Sequence, residues 1–408
     1  MHQIIKKEKM KSIFQLALFL TAIIYSSKVK SQSVNNIPKD SIDTYIKKTM
    51  NETGIVGIGA AIIINKKVVW ENGYGYANKE YKIPFTTKTI MNIASISKTF
   101  TGACIMKAVE EGKISLDEDI NTYLPFKVIN PNFPNEKITL RNLATHTSSL
   151  IDRSPFYTDS TYYPNKDSPE PLGDFLKNYF VPGGKHYSQE NFLKYKPGSY
   201  RDYSNIGAGL AGYIVEIATG KKLNLYSKQC IFEPLQMNNT GWFFSEINLA
   251  NHSKLYDKKG DSIVPIPLYG TTTFPDGGIR TCVSELSKFF ISLLNDGKFN
   301  GKRILKQKSV EEMTKFQYTI AYKPENVKLD KLNSGIFWAT KLGGTRIGHN
   351  GSDPGVRTFM LSDLTKDIGI ILFANTSLNE NQENIYFDIY EELYKYAKTE
   401  KTEKTTSR

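Results

Sequence analysis

Cysteine is scarce in this chain. Only Cys104, Cys230 and Cys282 occur in 408 residues, and no C-x-x-C pair is formed. The count is odd and the neighbours are apolar, so they read as buried free thiols and not as a disulfide framework. Histidine is also thin: the five residues are scattered, no cysteine–histidine spacing suits zinc, and neither metal nor cofactor is expected. No strand–turn–helix pattern carries G-x-G-x-x-G, which removes the dinucleotide fingerprint. Gly54, Gly57, Gly59, Gly73 and Gly75 read instead as twist and turns in an antiparallel sheet. No Arg/Lys block interleaved with aromatics appears, so the net charge of +12 is a solvated surface and not a nucleic-acid footprint. Weak attraction to an anionic envelope polymer stays open.

Much of that charge sits at one end. Residues 1–31 hold six lysines and one glutamate, a contribution of +5 that leaves about +7 for the rest. Lys6, Lys7, Lys9 and Lys11 precede the apolar run Ile13 to Tyr25, which is short for a membrane span. Val29-Lys30-Ser31 then offers a small-residue cleavage site before Gln32. The pattern is that of a secretory signal peptide over 1–31, with an uncleaved anchor as the alternative. Either way the body is exported, to the periplasm or outside the cell. No cysteine follows the run to serve as a lipid anchor, and no stable membrane insertion is expected after cleavage.

At 40% hydrophobic and 23% charged, the remainder reads as a globular chain with a sizeable core. Gly59 to Ile64 is a continuous apolar run, Asn65-Lys66-Lys67 a turn, and Val68-Val69-Trp70 a second strand. Ile96, Phe100, Met106 and Val109 mark a helix buried on most sides, stopped near Glu111-Gly112. Residues 153–195, rich in Tyr, Pro, Asp and Lys, read as a long surface excursion with a few short helices. Asp276-Gly277-Gly278 reads as a tight turn, and Ser284 to Leu294 as an amphipathic helix. Three late runs, Gly335–Trp338, Thr358–Leu361 and Ile368–Phe373, read as sheet. The last helix is expected over about 380–398, with a charged tail at 396–408. This order predicts an α+β fold: one antiparallel sheet flanked by the N- and C-terminal helices, plus a helical lobe. The domain spans 38–395, its sheet lobe about 38–93 and 255–395, its helical lobe about 94–254.

The chemistry-bearing candidates lie at turns between these elements. Ser95-Ile-Ser-Lys98 at a helix start puts a hydroxyl beside an amine at i and i+3. Burial and the positive end of a helix both lower a lysine pKa, so Lys98 is a candidate neutral base for Ser95. The spacing alone is weak, since Ser27/Lys30 repeats it. Tyr203-x-Asn205 opens the helix Gly207 to Ala218. Its phenol can exchange the nucleophile's proton, and its amide can orient the lysine and hold a substrate amide. His349-Asn350-Gly351 is the only His-x-Gly in the chain. Glycine there permits a substrate backbone close to the strand edge, and the N–H of Ser352 is a candidate oxyanion donor. His146, among small hydroxyl residues at a helix end, reads chiefly as a structural hydrogen-bonding residue.

The order Ser-x-x-Lys, Tyr-x-Asn, His/Lys-x-Gly resembles the signature of the serine β-lactamase and penicillin-binding protein superfamily, specifically the class C β-lactamase-like serine hydrolases. Gly73-Tyr-Gly-Tyr-Ala77, Glu111 to Asp117, Leu143-Ala-Thr-His-Thr-Ser148, Lys196-Pro-Gly198, Glu233 to Met237 and Gly348 to Gly351 look like further landmarks. The resemblance covers about 38–395 and implies a β-lactamase/transpeptidase-like fold. It implies Ser95 as acylated nucleophile, Lys98 as its activator and Tyr203 as proton shuttle. Asn205, His349, Gly351 and Ser352 then line the substrate, with the N–H groups of Ser95 and Ser352 as oxyanion hole. Histidine in place of lysine in the third motif resembles the D,D-carboxypeptidases, D-amino-acid peptidases and esterases more than true β-lactamases. Ser149 and Gln236 stand where glycine is usual. Asn350 stands where many peptidases have threonine, and Arg280, Arg346 and Arg357 are the candidate carboxylate partners. The expected function is an exported serine hydrolase cleaving an amide or ester through an acyl-enzyme on Ser95, with a peptidoglycan-type D-amino-acid peptide as leading substrate class. An esterase, a weak β-lactamase, and a penicillin-binding sensor or scaffold without turnover are the alternatives. Small peptides, β-lactams or esters are the expected partners. On expression in a bacterial host that exports it, N-terminal sequencing should find Gln32 as the first residue; a chain still starting at Met1 would contradict the signal-peptide reading.

Overall fold

The computed structural model describes residues 39–260 and 262–406; the expected signal peptide lies outside them. The elements that position the site are, in chain order, α1 (Lys39–Thr53), β1 (Gly57–Ile64), β2 (Lys67–Asn78), β3 (Ile83–Pro84), α2 (Ser97–Glu110), α3 (Asn205–Thr219), α4 (Val283–Leu294), β4 (Ala339–Lys341), β5 (Arg346–Asp353), β6 (Val356–Asp363), β7 (Ile368–Ala374) and α5 (Glu380–Thr406). The seven strands form one antiparallel sheet in the order β4-β5-β6-β7-β1-β2-β3.

Every residue of β1 is buried. A strand with no polar alternation must be covered on both faces, and this one is. Ile58, Ala60, Ile62 and Ile64 pack with Ile42, Ile46 and Met50 of α1 and with Tyr386, Ile389, Tyr390 and Leu393 of α5. Ala61 and Ile63 join the larger core on the opposite face, to which Val283, Leu286, Phe289 and Phe290 of α4 belong. The fold is therefore the α+β arrangement read from the sequence.

α2 is the central strut. Its residues Ser97 to Met106 are all buried, and Phe100 stacks on Phe289 at 3.7 Å between ring centroids. Ser95 itself lies in a 3-10 turn, Ala94–Ile96, and not in the α-helix expected to start there. Hydrogen bonds clamp this junction from both sides. Ile93 donates its N–H to Ile279 O at 3.0 Å, and its carbonyl accepts from Thr358 Oγ1 at 3.0 Å. Thr101 Oγ1 donates to Pro275 O at 2.7 Å.

Several expectations need correcting. Gly335–Trp338 is not a strand: the sheet begins at Ala339, and Ile336, Phe337 and Trp338 are buried in an irregular segment. An apolar run of that length does not distinguish a strand from a packed loop. The glycine-rich Gly348 to Ser352 is not a connection but the middle of β5. The C-terminal helix runs to Thr406, past the expected end near 398, with Tyr396 and Ala397 buried against the sheet. The 153–195 region is no surface excursion: Phe175, Leu176, Tyr179 and Phe180 of its helix Leu172–Phe180 are core residues. Of the three thiols, Cys104 and Cys282 are buried and Cys230 is only half-buried.

Ser149 and Gln236, the two departures from glycine, have φ of +68° and +52°. A side chain there costs about 1 kcal/mol or more, partly offset because glycine loses more entropy on folding. Gln236 is exposed, so Gln236→Gly is expected to raise unfolding free energy by roughly 0.5–1 kcal/mol in urea titrations. A lower value would contradict the strain.

Candidate active site

Lys98 is fully buried, with 0% of its surface exposed. Its Nζ donates to Ser95 Oγ at 3.1 Å, Asn205 Oδ1 at 2.6 Å and the Asp276 carbonyl at 2.9 Å. Asn205 Oδ1 and the Asp276 carbonyl can only accept from this nitrogen, whereas the Ser95 hydroxyl can accept from an ammonium or donate to a neutral amine. The Asp276 carboxylate adds its charge, with Oδ1 4.0 Å from Nζ. Burial pushes the lysine down, but Tyr203, Asp276 and Asp152 pull it up, and the balance lies above the ordinary lysine value. Burial alone would favour the neutral Lys98 expected from the sequence, but the fold also places acceptors and a carboxylate around the nitrogen, and these favour the ammonium.

Tyr203 lies against this ammonium, with Nζ 4.9 Å from its ring centroid. It is held from the other side by His146, whose ring sits 4.3 Å away and itself packs edge-on against Phe337. His146 Nδ1 accepts the N–H of Ser204 at 3.2 Å. The hydrogen-bonding role read for His146 is thus present, and it fixes the phenol as well. Asn205 is the first residue of α3. Ser204 caps that helix by accepting from Gly207 N at 3.0 Å. Asp152 accepts from the N–H groups of Asn205 and Ile206 at 2.7 and 2.9 Å. Burial pushes the Asp152 carboxyl up to about 6, against the pull of those amides.

His349 is 3% exposed, and its Nδ1 lies 2.7 Å from the Asn350 carbonyl. Its ring is 6.4 Å from that of Tyr203. Burial, then Lys341 and Lys98, hold it well below the usual histidine range, so it stays neutral near pH 7. Lys341, half-buried, is itself pushed down to about 7 by burial and by Arg201 and Lys98. Among the described residues neither Lys341 nor Arg201 has a carboxylate ion-pair partner. The three arginines expected as carboxylate partners are engaged elsewhere. Arg280 is buried under the carbonyls of Trp242, Gly278 and Tyr269. Arg346 pairs with Glu391 and stacks on Tyr394, and Arg357 pairs with Glu383.

Gly351 is required for a reason other than substrate approach. A Cβ there would stand 2.4 Å from both Ile93 O and Thr358 Oγ1, and 3.0 Å from Ala94 Cβ. Glycine thus lets β5 close directly onto the turn that carries Ser95, which places Ser352 beside it. Ala94 takes φ of +47° in the same contact, a strained conformation held by its surroundings.

Residues that the sequence did not single out complete the site. Tyr157 donates to Asp276 Oδ2 at 2.6 Å, and Tyr162 donates to Asp353 Oδ1 at 2.8 Å. Both come from the 153–195 region. Burial, with Asp276 nearby, pushes the Asp353 carboxyl up to about 7.

A scan against family models matches residues 42–390 to the family described as Beta-lactamase. The chain belongs to that family. Protein flp of Staphylococcus aureus (strain MRSA252) is 26% identical over 347 residues, covering 84% of this chain and 64% of that protein. The chain thus spans about 64% of that relative's length. Among solved structures, the octameric penicillin-binding protein homologue from Pyrococcus abyssi superposes with a TM-score of 0.65 at 26% identity, covering 84% of this chain and 74% of that one. The D-amino acid amidase from Ochrobactrum anthropi SV3 gives a TM-score of 0.67 at 22% identity, covering 90% and 99%, and so shares the fold. Family and fold together place the chain in the β-lactamase superfamily.

Two outcomes follow. Gly351→Ala is expected to cost about 1–3 kcal/mol of stability through overpacking, and to lower turnover by displacing the Ser95 turn; wild-type urea midpoint and activity would contradict the close contact. Asp353 has a folded value near 7 against about 3.9 unfolded. Its protonated form is favoured on folding, so its contribution is full below about pH 4 and is lost as pH rises through 7. Asp353→Asn cannot ionise, so its stability relative to wild type should rise between about pH 4 and pH 8. A pH-independent difference would contradict the raised value.

Proposed function

We propose that the chain is an exported serine hydrolase that cleaves an amide or ester through an acyl-enzyme on Ser95, with D-amino-acid peptides of peptidoglycan type as the leading substrates. The observation that carries this reading is the single lysine nitrogen shared by Ser95 Oγ, Asn205 Oδ1 and Asp276 O, with Tyr203 against it. Export rests on the charged and apolar N-terminal segment.

In this reading Ser95 Oγ attacks the substrate carbonyl carbon while its proton passes to the Tyr203 oxygen, whose anionic form the Lys98 ammonium stabilises. The N–H groups of Ser95 and Ser352 receive the developing oxyanion. Tyr203 then delivers the proton to the leaving nitrogen or oxygen as its bond to carbon breaks. Water attacks the resulting ester, gives its proton through Tyr203 to Ser95 Oγ, and releases the acid. Asn205 holds the lysine and a substrate amide. Neutral His349 lines the leaving-group side without adding charge. Arg201, and Lys341 in its protonated form, both without carboxylate partners among the described residues, supply the attraction for a carboxylate on the leaving group, as in a D-Ala-D-Ala dipeptide. The relative described as a D-amino acid amidase supports D-amino-acid chemistry in this fold.

Intact-mass analysis with a panel of D-Ala-D-Ala peptides, nitrocefin and p-nitrophenyl esters tests the reading. Turnover with a transient adduct on Ser95 is expected, abolished in Ser95→Ala and slowed by about 10²–10⁴-fold in Tyr203→Phe. Preference within the panel separates peptidase, β-lactamase and esterase. A stable penicillin adduct without turnover would favour the sensor or scaffold alternative. Turnover unchanged in Ser95→Ala would overturn the mechanism.

A further inference from the structure

β5 carries opposite charge environments at its two ends. His349, Gly351 and Asp353 alternate onto one face of the strand. Gly351, in the middle, abuts Ala94, the residue before the nucleophile. At the His349 end stand the cations Lys341 and Arg201. At the other end, about 6.6 Å along the strand from Gly351, stands Asp353. Its Oδ1 accepts from Tyr162. Its Oδ2 accepts no hydrogen bond from any described residue. That oxygen lies 3.5 Å from the position a Cβ would take on Gly277, a point itself 3.9 Å from the Ala94 carbonyl carbon. The free carboxylate oxygen and the Ser95 turn therefore flank the same point beside Gly277.

Asp276 backs this end and is already committed to Lys98 and Tyr157, so the two acids are not equivalent. Asp353 has no cation within ion-pairing distance among the described residues. Lys98 and Arg357 act on it only from beyond ion-pairing distance, so a half-buried carboxylate beside a second carboxylate gains from a cation that binds directly. An independent observation points the same way. Thr271 is 8% exposed, and its Oγ1 is buried with no hydrogen-bond partner. It pairs directly opposite Tyr162 across a short antiparallel ribbon, so its side chain shares the face from which Tyr162 reaches Asp353. That hydroxyl, with no protein partner, is a further hydrogen-bonding group on this face.

We propose that Asp353 receives a protonated α-amine on the acyl residue of the substrate, making the site selective for D-amino-acid amides and short peptides with a free N-terminus over N-acylated ones. The inference rests on Ser95 being the acylated nucleophile. Such an amine lies two bonds from the carbonyl carbon under attack, and the carboxylate stands just beyond Ser352 in the chain, on the side away from His349. A dipeptide lying along β5 would then meet acid at its amino end and cations at its carboxyl end. Tyr162 is a positioning residue that holds the carboxylate toward the site.

The test compares kcat/KM for D-alanine p-nitroanilide and its Nα-acetyl derivative, with p-nitrophenyl acetate as a probe of acylation that carries no amine. The free amine is expected to be preferred by about tenfold or more, the scale of one charge-assisted hydrogen bond. In Asp353→Asn the preference should fall to about threefold or less, and Asp353→Glu should retain part of it. Because the preference is a ratio within one protein, partial loss of folded enzyme does not change it. Equal or faster cleavage of the acetylated anilide by the wild type, with the ester turned over at Ser95, would overturn the amine site and leave the hydrolase reading standing. Failure of all three substrates to acylate Ser95 would overturn both.

Discussion

One buried nitrogen holds the site together. Lys98 reaches three acceptors from three distant parts of the chain: the Ser95 turn, the first residue of α3, and the loop Phe274–Asp276. A charge taken fully out of water is tolerated only when its donors are satisfied and a counter-charge is near. That requirement explains features that look unrelated in the sequence. Asp152 must fix the start of α3 so that Asn205 points inward. Thr101 and Ser97 must hold the 275–279 loop against α2. Tyr157 must hold the Asp276 carboxylate.

The same constraint sets the chemistry. In the proposed mechanism a charged Lys98 does not take the first proton; that role falls to Tyr203, with the ammonium as its electrostatic partner. The two buried histidines are held neutral by burial and by neighbouring cations, which keeps them as packing and hydrogen-bonding surfaces around the phenol. The site then divides along β5 into a cationic and an anionic end, with Ser95 between them. The proposed selectivity rests on groups that flank the three motifs more than on the motifs themselves.

The candidate site residues were legible because local motifs announce them. Ser95, Lys98, Tyr203, Asn205 and His349 converge in space as their order in the chain implied. The sheet was legible where its apolar runs were long, as in β1 and β7. What surrounds the motifs was not. Asp276 read only as the start of a turn, and Tyr157 and Tyr162 as part of a polar loop, because their roles exist only once the 153–195 region folds onto the 270–276 segment. Arg280, Arg346 and Arg357 drew attention as isolated cations, yet each is neutralised or buried by partners remote in sequence. Lys341 and Arg201 gave no local signal at all. Ser149 and Gln236 were visible as departures, and their positive φ supplies the physical reason that glycine suits those positions.

The protonation state of Lys98 tests the account most directly. In protein carrying 15N-labelled lysine, with Lys98→Met used for assignment, the Nζ shift can be followed from about pH 6 to about pH 9, a range in which a desolvated lysine without partners loses its proton and a compensated one keeps it. The account, with the Asn205 and Asp276 oxygens accepting and the Asp276 carboxylate near, predicts an ammonium throughout. A neutral amine within that range would contradict it, and would return the role of first proton acceptor to Lys98.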